Sequence, residues 1–467
     1  MTFPLSDMVS ISLTIAAGGL RAANLSTPGL IAYHTAWLDY SRTFYSVSSA
    51  VAAGIVAGTA PHRMLVAAFS QNPSPTHVKL LRRATAPVHA VELTITTFAV
   101  GNTITATIHA PDGTSRSYSQ AAGGVSIDAE TTALTALINN DVSGYATAGS
   151  TELIAVAILG AGARVEIDPG AGAAVGQLFW YGTLANIDFE DVTPDPGLTA
   201  DLVLIQAEDD DWYGACLDSQ SNAEQDKLAE LLNADLKWVC AGTMDADVAN
   251  DVLNNLGEEL HDDSREKATL VWVPGDLQAY PGVAACAKML AFKPGATTLA
   301  NQNLAGCTAA INGQTLTEAQ LVSLRSNRVN GYIEFGGLNI IDSQAGFCSY
   351  ARYVDERLTL DYLEANIPVE LANAIVALTT SGRKVPYTDA AAAIARAAIY
   401  KVCQLAESWG ALLLQDGDTT YFSFSATPAS AQLAADKTAR IFRGCEFSCV
   451  ITGAAQSFPL SGTLTFV

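Results

Sequence analysis

The chain has 467 residues, 49% apolar and only 15% charged, enough apolar surface to offset backbone ordering and exclude general disorder. That length exceeds what one hydrophobic core serves, so about two to four domains are expected. The net charge of −22 repels a phosphate backbone and excludes direct nucleic-acid binding, while the scarcity of charges suits large protein–protein contacts.

The first residues, Met1-Thr-Phe-Pro-Leu-Ser-Asp7, lack the basic start and apolar core of a signal peptide. No later run has the length and character of a membrane span. Within 1–25, Val9, Ile11 and Leu13 alternate with Ser10, Ser12 and Thr14, a strand pattern that reads as an N-terminal arm. Residues 26–87 form a first core part. There, Met64–Phe69 reads as a helix end and Val78–Arg82 as a strand after the Pro73/Pro75 turn. From Val88 the chain alternates strongly, through Val91, Leu93 and Ile95, then Ile104, Ala106 and Ile108, with Pro111-Asp-Gly113 as a hairpin turn signal. Further strands at Leu153–Leu159 and Arg164–Ile167, and a linker at Asp191–Gly197, make 88–192 an inserted β-rich outer domain.

Residues 193–290 read as a second part of the core, in which strands alternate with helices. Leu202–Ile205, Trp238–Gly242 and Thr269–Val273 are the expected strands; Ser221–Leu232 and Val248–Leu260 are the expected helices. This alternation predicts a sheet with helices packed on it. A C-terminal domain spans 291–446, with helices expected at 352–366, 368–380, 389–409 and 428–443. Thr388 caps the third, whose apolar face is Ile394, Ala398, Val402, Leu405 and Trp409, and Gly410 ends it. Thr427-Pro428 opens the fourth and Gly444 stops it. Residues 447–467 form a C-terminal strand arm, with strands at Phe447–Ile451 and Gly462–Val467. The fold class is thus mixed α/β and multidomain, an α/β core with an inserted β-rich domain and strand-forming terminal arms.

Catalytic chemistry finds little support. Glu208-Asp-Asp-Asp211 is the strongest metal-like cluster, and Asp209 to Asp211 on a loop suit Mg²⁺ or Ca²⁺. It lacks spaced ligands and a phosphate-binding partner, so solvated loop carboxylates are the plainer reading. None of the six histidines shows metal-ligand spacing. Gly170-Ala-Gly-Ala-Ala-Val-Gly176 has one residue too many for a dinucleotide loop, and no Walker-type loop occurs. The eight cysteines include no CxxC pair and sit mostly among apolar residues, as buried reduced thiols do. No catalytic residue, metal or cofactor is assigned. A carboxylate-metal hydrolase stays the alternative from a different functional class.

Both ends of the chain are alternating and uncharged. In 458–467 no side chain carries charge, and Thr463, Thr465 and Val467 alternate with Leu464 and Phe466. An exposed edge of this kind invites pairing; it pairs either within its own domain or on a neighbouring copy by strand addition. Lys437, Arg440 and Arg443 are spaced three apart on the expected 428–443 helix. They serve either solvation and the helix C-terminus or a basic patch for an acidic partner.

The last third of the chain resembles the contractile phage tail sheath proteins, in a branch long filed as a domain of unknown function. The residues that carry this are Phe292-Lys-Pro-Gly-Ala-Thr297, Asn330-Gly-Tyr332, Ser381-Gly-Arg-Lys-Val-Pro386, Tyr387-Thr-Asp-Ala390 and Asp436-Lys-Thr-Ala-Arg-Ile441. Leu5-Ser-Asp7, Phe69-Ser-Gln-Asn-Pro73 and Trp212-Tyr-Gly214 echo it upstream, while 88–192 adds little. Pro368 falls within what the family makes one long helix, so a kink or two short helices are expected. Gly336-Gly337 also departs from the pattern.

The resemblance implies a non-enzymatic virion protein, assembled in the bacterial cytoplasm, whose subunits form hexameric rings stacked helically around an inner tail tube. The implied partners are other copies, the tube protein, and baseplate and tail terminator proteins, with no membrane insertion. It implies strand addition between subunits by the segments holding Val9, Ile11 and Leu13 and Thr463, Leu464, Thr465 and Phe466. With it, Lys437, Arg440 and Arg443 become candidate contacts to an acidic tube. Another structural component of a virion or injection machine is the nearer alternative.

Overall fold

The computed structural model describes residues 24–84 and 197–454, apart from 221, 254, 275–278 and 310–315, with the strands and a few further positions between 88 and 193. Residues 26–291 and 299–352 form one compact unit; 292–298 and 353 onward belong to a second. The architecture is mixed α/β.

The first unit is organised on an eight-stranded sheet. In spatial order its strands are Leu338–Ile341, Asn330–Phe335, Ala268–Trp272, Trp238–Thr243, Gly214–Leu217, Pro28–Tyr33, Val78–Arg83 and Ser41–Phe44. The six inner strands run parallel, and each edge strand is antiparallel to its neighbour. A parallel sheet buries both faces, which is why its central strands, Pro28–Tyr33, Gly214–Leu217, Trp238–Thr243 and Ala268–Trp272, are largely apolar. On one face Ile31, Leu81, Ala215, Leu217, Val239 and Leu270 join a core with the Leu198–Glu208, Asn222–Leu232 and Leu256–Asp262 helices. Against the other face lies the Pro281–Leu290 helix, every residue of which is buried. Its close approach needs glycine: a Cβ on Gly282 would stand 2.6 Å from the Cys240 carbonyl oxygen, and one on Gly214 only 2.7 Å from Leu290.

Between 88 and 193 the described strands pair only with one another. One sheet orders Gly176–Leu178, Arg164–Asp168, Thr103–His109 and Ser115–Ala121; the other sets Val88–Ile95 between Ile187–Thr193 and Leu153–Ile154, with Ile158–Leu159 also on it.

In the second unit a 27-residue helix, Val354–Thr380, packs against Asp389–Ser408. Tyr362 meets Trp409 edge-on at 5.2 Å, and the Trp409 indole donates to the Pro294 carbonyl at 3.0 Å. Leu412–Leu413 pairs antiparallel with Val450–Ile451, and Ser423–Ala426 with Cys445–Ser448.

Several local expectations are corrected. Leu202–Ile205 is not a strand but lies within the Leu198–Glu208 helix. Leu198, Leu202 and Ile205 are buried while Val203 and Leu204 are exposed, a helical stripe that a four-residue apolar run cannot reveal. The expected helix over Val248–Leu260 is two, Ala246–Asn250 and Leu256–Asp262. Asp251 turns left-handed at φ 59°, and Asn255 caps the second helix by accepting the Glu258 amide. Pro368 does not divide its helix, which runs unbroken from Val354 to Thr380. The buried stripe of Asp389–Ser408 is Ala398, Ile399, Val402, Cys403 and Ala406; Leu405, expected inside, is exposed. The expected helix over 428–443 shrinks to a 3-10 turn at Ala429–Ala431 and a short helix at Ala434–Ala439.

Candidate functional site

The loss of that last helix decides where the three cations stand. Only Lys437 is helical. Arg440 takes the left-handed conformation, φ 57°, and ends the helix. Arg443 lies beyond it, where the Gln432 side chain holds its backbone: the Gln432 amide donates to the Arg443 and Thr427 carbonyls at 2.7 and 3.0 Å. Gly444 follows at φ 73°, and a Cβ there would collide with the Thr427 hydroxyl. The chain therefore folds back on itself, and the cations do not share a helix face.

What brings them together is a groove. The exposed second half of Val354–Thr380, the segment 384–387, one side of Asp389–Ser408 and the strand around Cys445 enclose an open cavity of about 1300 Å³. Its floor is apolar, with Ile375, Ile394, Ile399 and Phe442. Its rim holds Lys384, Lys437, Arg440 and Arg443 against one carboxylate, Glu446. In a chain of net charge −22, this local excess of cations favours an acidic partner. The Tyr387 hydroxyl donates to the Ile441 carbonyl at 2.8 Å, and its ring lies 5.6 Å from that of Phe442, which fixes one wall. The Arg443 Nε donates to Asp436 at 2.8 Å and Lys437 Nζ to the Ser430 carbonyl at 3.2 Å. Arg440 is exposed.

Sequence reading missed Lys384 and the apolar floor. The signal was present in Arg383-Lys384-Val-Pro386, a basic turn between two helices.

The second feature is an open ladder. Ser423–Ala426 and Cys445–Ser448 form a two-stranded sheet, with Phe424 opposite Phe447. Each strand has an edge without a strand partner among the described residues. Two strands alone are marginal in water. The segments carrying Val9, Ile11 and Leu13 and Thr463, Leu464, Thr465 and Phe466 lie outside the described residues.

The acidic cluster is tied to lysines. Lys79 Nζ donates to both Asp209 oxygens at 2.8 and 2.7 Å and stands 3.6 Å from Asp211. Lys237 pairs with Asp210 at 2.9 Å, and Glu208 accepts the Tyr40 and Ser41 amides. The cluster follows a helix, not a strand. Among the described residues no group of three His, Cys, Asp or Glu is placed to hold a metal, and no helix is long and apolar enough to cross a membrane. Seven cysteines are buried and Cys445 is exposed. Burial pushes His34 down to about 4, and its ring lies tilted against that of Trp37 with centroids 4.1 Å apart.

The sequence matches no protein-family model and no curated protein. Solved structures similar to it include the six-fold symmetrised baseplate of the anti-feeding prophage, at 14% identity over 60% of this chain and 76% of that one, with a TM-score of 0.44. A sheath tail protein from Desulfitobacterium hafniense aligns at 12% identity over 90% and 93% of the two chains, TM-score 0.41. One from Listeria innocua aligns at 12% over 87% and 90%, TM-score 0.41.

Proposed function

We propose that this chain is the repeating subunit of a contractile tail sheath, a structural protein and not an enzyme. Subunits polymerise as stacked hexameric rings around an inner tail tube, assemble in the host cytoplasm and contract to drive the tube through the host envelope. The observation that carries the reading is the open two-stranded ladder at Ser423–Ala426 and Cys445–Ser448, in a chain whose last ten residues are uncharged and alternating. A ladder whose edges have no strand partner among the described residues and a tail of strand-like sequence together make a donor and an acceptor for strand addition. Contacts of this head-to-tail kind propagate when they do not close.

In this reading Val9, Ile11 and Leu13 and Thr463, Leu464, Thr465 and Phe466 add strands to adjacent copies. Lys437, Arg440 and Arg443 meet an acidic partner surface. Baseplate and terminator proteins bound the polymer at its ends. The sequence resemblance carried by Tyr387-Thr-Asp389 and Asp436–Ile441 supports the same assignment.

Negative-stain microscopy of the purified chain tests it. Rings, tubes or striated polymers are expected, and deletion of 458–467 abolishes them while circular dichroism stays that of a folded chain. Small discrete particles at every concentration, or polymers that survive the deletion, would refute it.

A further inference from the structure

The groove of the second unit combines an apolar floor with a basic rim, and that combination selects its occupant. A rim of exposed cations alone suits a weak contact that salt screens and that releases readily. A concave apolar floor of this size suits insertion of a side chain that stays buried. The matching ligand is a segment with an exposed aliphatic tip set among carboxylates.

The chain carries such a segment. Between the Ala246–Asn250 and Leu256–Asp262 helices, Val252 and Leu253 are 46% and 79% exposed. Within 247–259 stand Asp247, Asp251, Glu258 and Glu259, and no lysine or arginine. The left-handed turn at Asp251 and the Asn255 cap hold the tip in place, so little order is lost on docking. Besides burial, the charges of Asp226, Asp263 and Glu258 push Glu259 upward; Arg265 pairs with Asp226 and Asp263 at 3.6 and 2.9 Å, so Asp247, Asp251, Glu258 and Glu259 carry the acidic character of the tip.

Competing tips fit less well. Phe335 and Leu338 are exposed but have one neighbouring carboxylate in the sequence, Glu334. Leu38 is exposed, but the adjacent Asp39 is already paired with Arg42 at 2.7 Å.

We infer that the basic groove of one copy receives the acidic Val252–Leu253 knuckle of a second copy, and so forms a subunit–subunit contact distinct from strand addition. This names the partner at the rim and rests on the polymer reading given above. It assigns the rim cations to another subunit in place of the tube.

Cys445 gives the test a built-in reporter, because it lines the groove and is the exposed cysteine of the eight. In polymers of the Leu253→Cys variant, a short bismaleimide joins position 253 of one copy to Cys445 of the next, giving a ladder on a denaturing gel. Adding Cys445→Ser removes the ladder, and Phe335→Cys does not produce one. In parallel, Lys437→Glu with Arg440→Glu raises the concentration needed for polymers by about tenfold, as does Asp251→Lys with Glu259→Lys. All four changes in one chain restore it.

No ladder in well-formed polymers, or no rescue by the combined chain, overturns the inference and leaves the sheath reading standing. A rim variant that polymerises normally alone but fails on tubes overturns it in favour of the tube. A wild-type chain that stays monomeric at every concentration and salt overturns both.

Discussion

Replacing Lys79 with methionine tests whether the acidic loop at 208–211 is held by lysine or made for a metal. Lys79 lies on an inner strand with its side chain 9% exposed, against 24% for Asp209. It makes two charged hydrogen bonds to Asp209. Methionine keeps the apolar stem and removes only the ammonium. Asp209 then retains the Ser41 hydroxyl at 2.7 Å and the Asp211 amide at 2.9 Å but has lost its cation. Hydrogen bonds to charged groups contribute about 1.5–3 kcal/mol, and the partial exposure of Asp209 places the cost toward the lower end, about 1.5–2 kcal/mol.

The pH dependence has a definite sign. Burial pushes Asp209 up, but the bonds from Lys79, Ser41 and the Asp211 amide outweigh it and hold the carboxyl below its ordinary value. A depressed carboxylate stabilises the fold above its unfolded pKa, about 3.9, and that contribution is lost as pH falls through the lower folded value. The gap between wild type and Lys79→Met in urea unfolding, followed by tryptophan fluorescence, is therefore full at pH 7 and closes in acid. Equal stability at pH 7 would refute the lysine clamp. So would a rise in wild-type stability on adding millimolar Mg²⁺ or Ca²⁺, which a carboxylate metal site demands.

Asp355, near the start of the long helix, is pushed up to about 6, first by burial and then by the Glu356 charge. A raised carboxylate binds more protons folded than unfolded, so its contribution to stability falls as pH rises from about 4 to about 6. Asp355→Asn flattens that part of a melting-temperature profile; an unchanged slope argues against it. Gly282→Ala drives a methyl into the backbone of Cys240 and Ala241 and costs about 1–3 kcal/mol of overpacking, read as a lower melting temperature. An unaltered melt would mean that the Pro281–Leu290 helix does not sit so close.

Where a segment's own period matched its final surroundings, the sequence by itself determined the element. Trp238–Thr243 and Ala268–Trp272 are strands as read, because a β-rich apolar run has one way to bury both faces in a parallel sheet; Val78–Arg83, half of it cationic, was marked as a strand by the Pro73/Pro75 turn before it. The Asp389–Ser408 helix and its Gly410 stop were legible too, since a glycine stop acts locally; Thr388 stands at the N-cap position but its side chain makes no capping bond. Tertiary packing decided the rest. Leu202–Ile205 became helix because Leu202 and Ile205 share a core stripe with Leu198, and no four-residue window contains that fact. Asp251 and Arg440 turn left-handed without being glycine, so the 248–260 and 428–443 patterns gave no warning of the breaks. The groove is the clearest case. Its cations come from the segment after one helix and from both sides of another's end, and its floor comes from two helices and the irregular segment before a strand. Residues so far apart in the chain become one surface only when packing fixes the distances between their elements, and local sequence has no term for that.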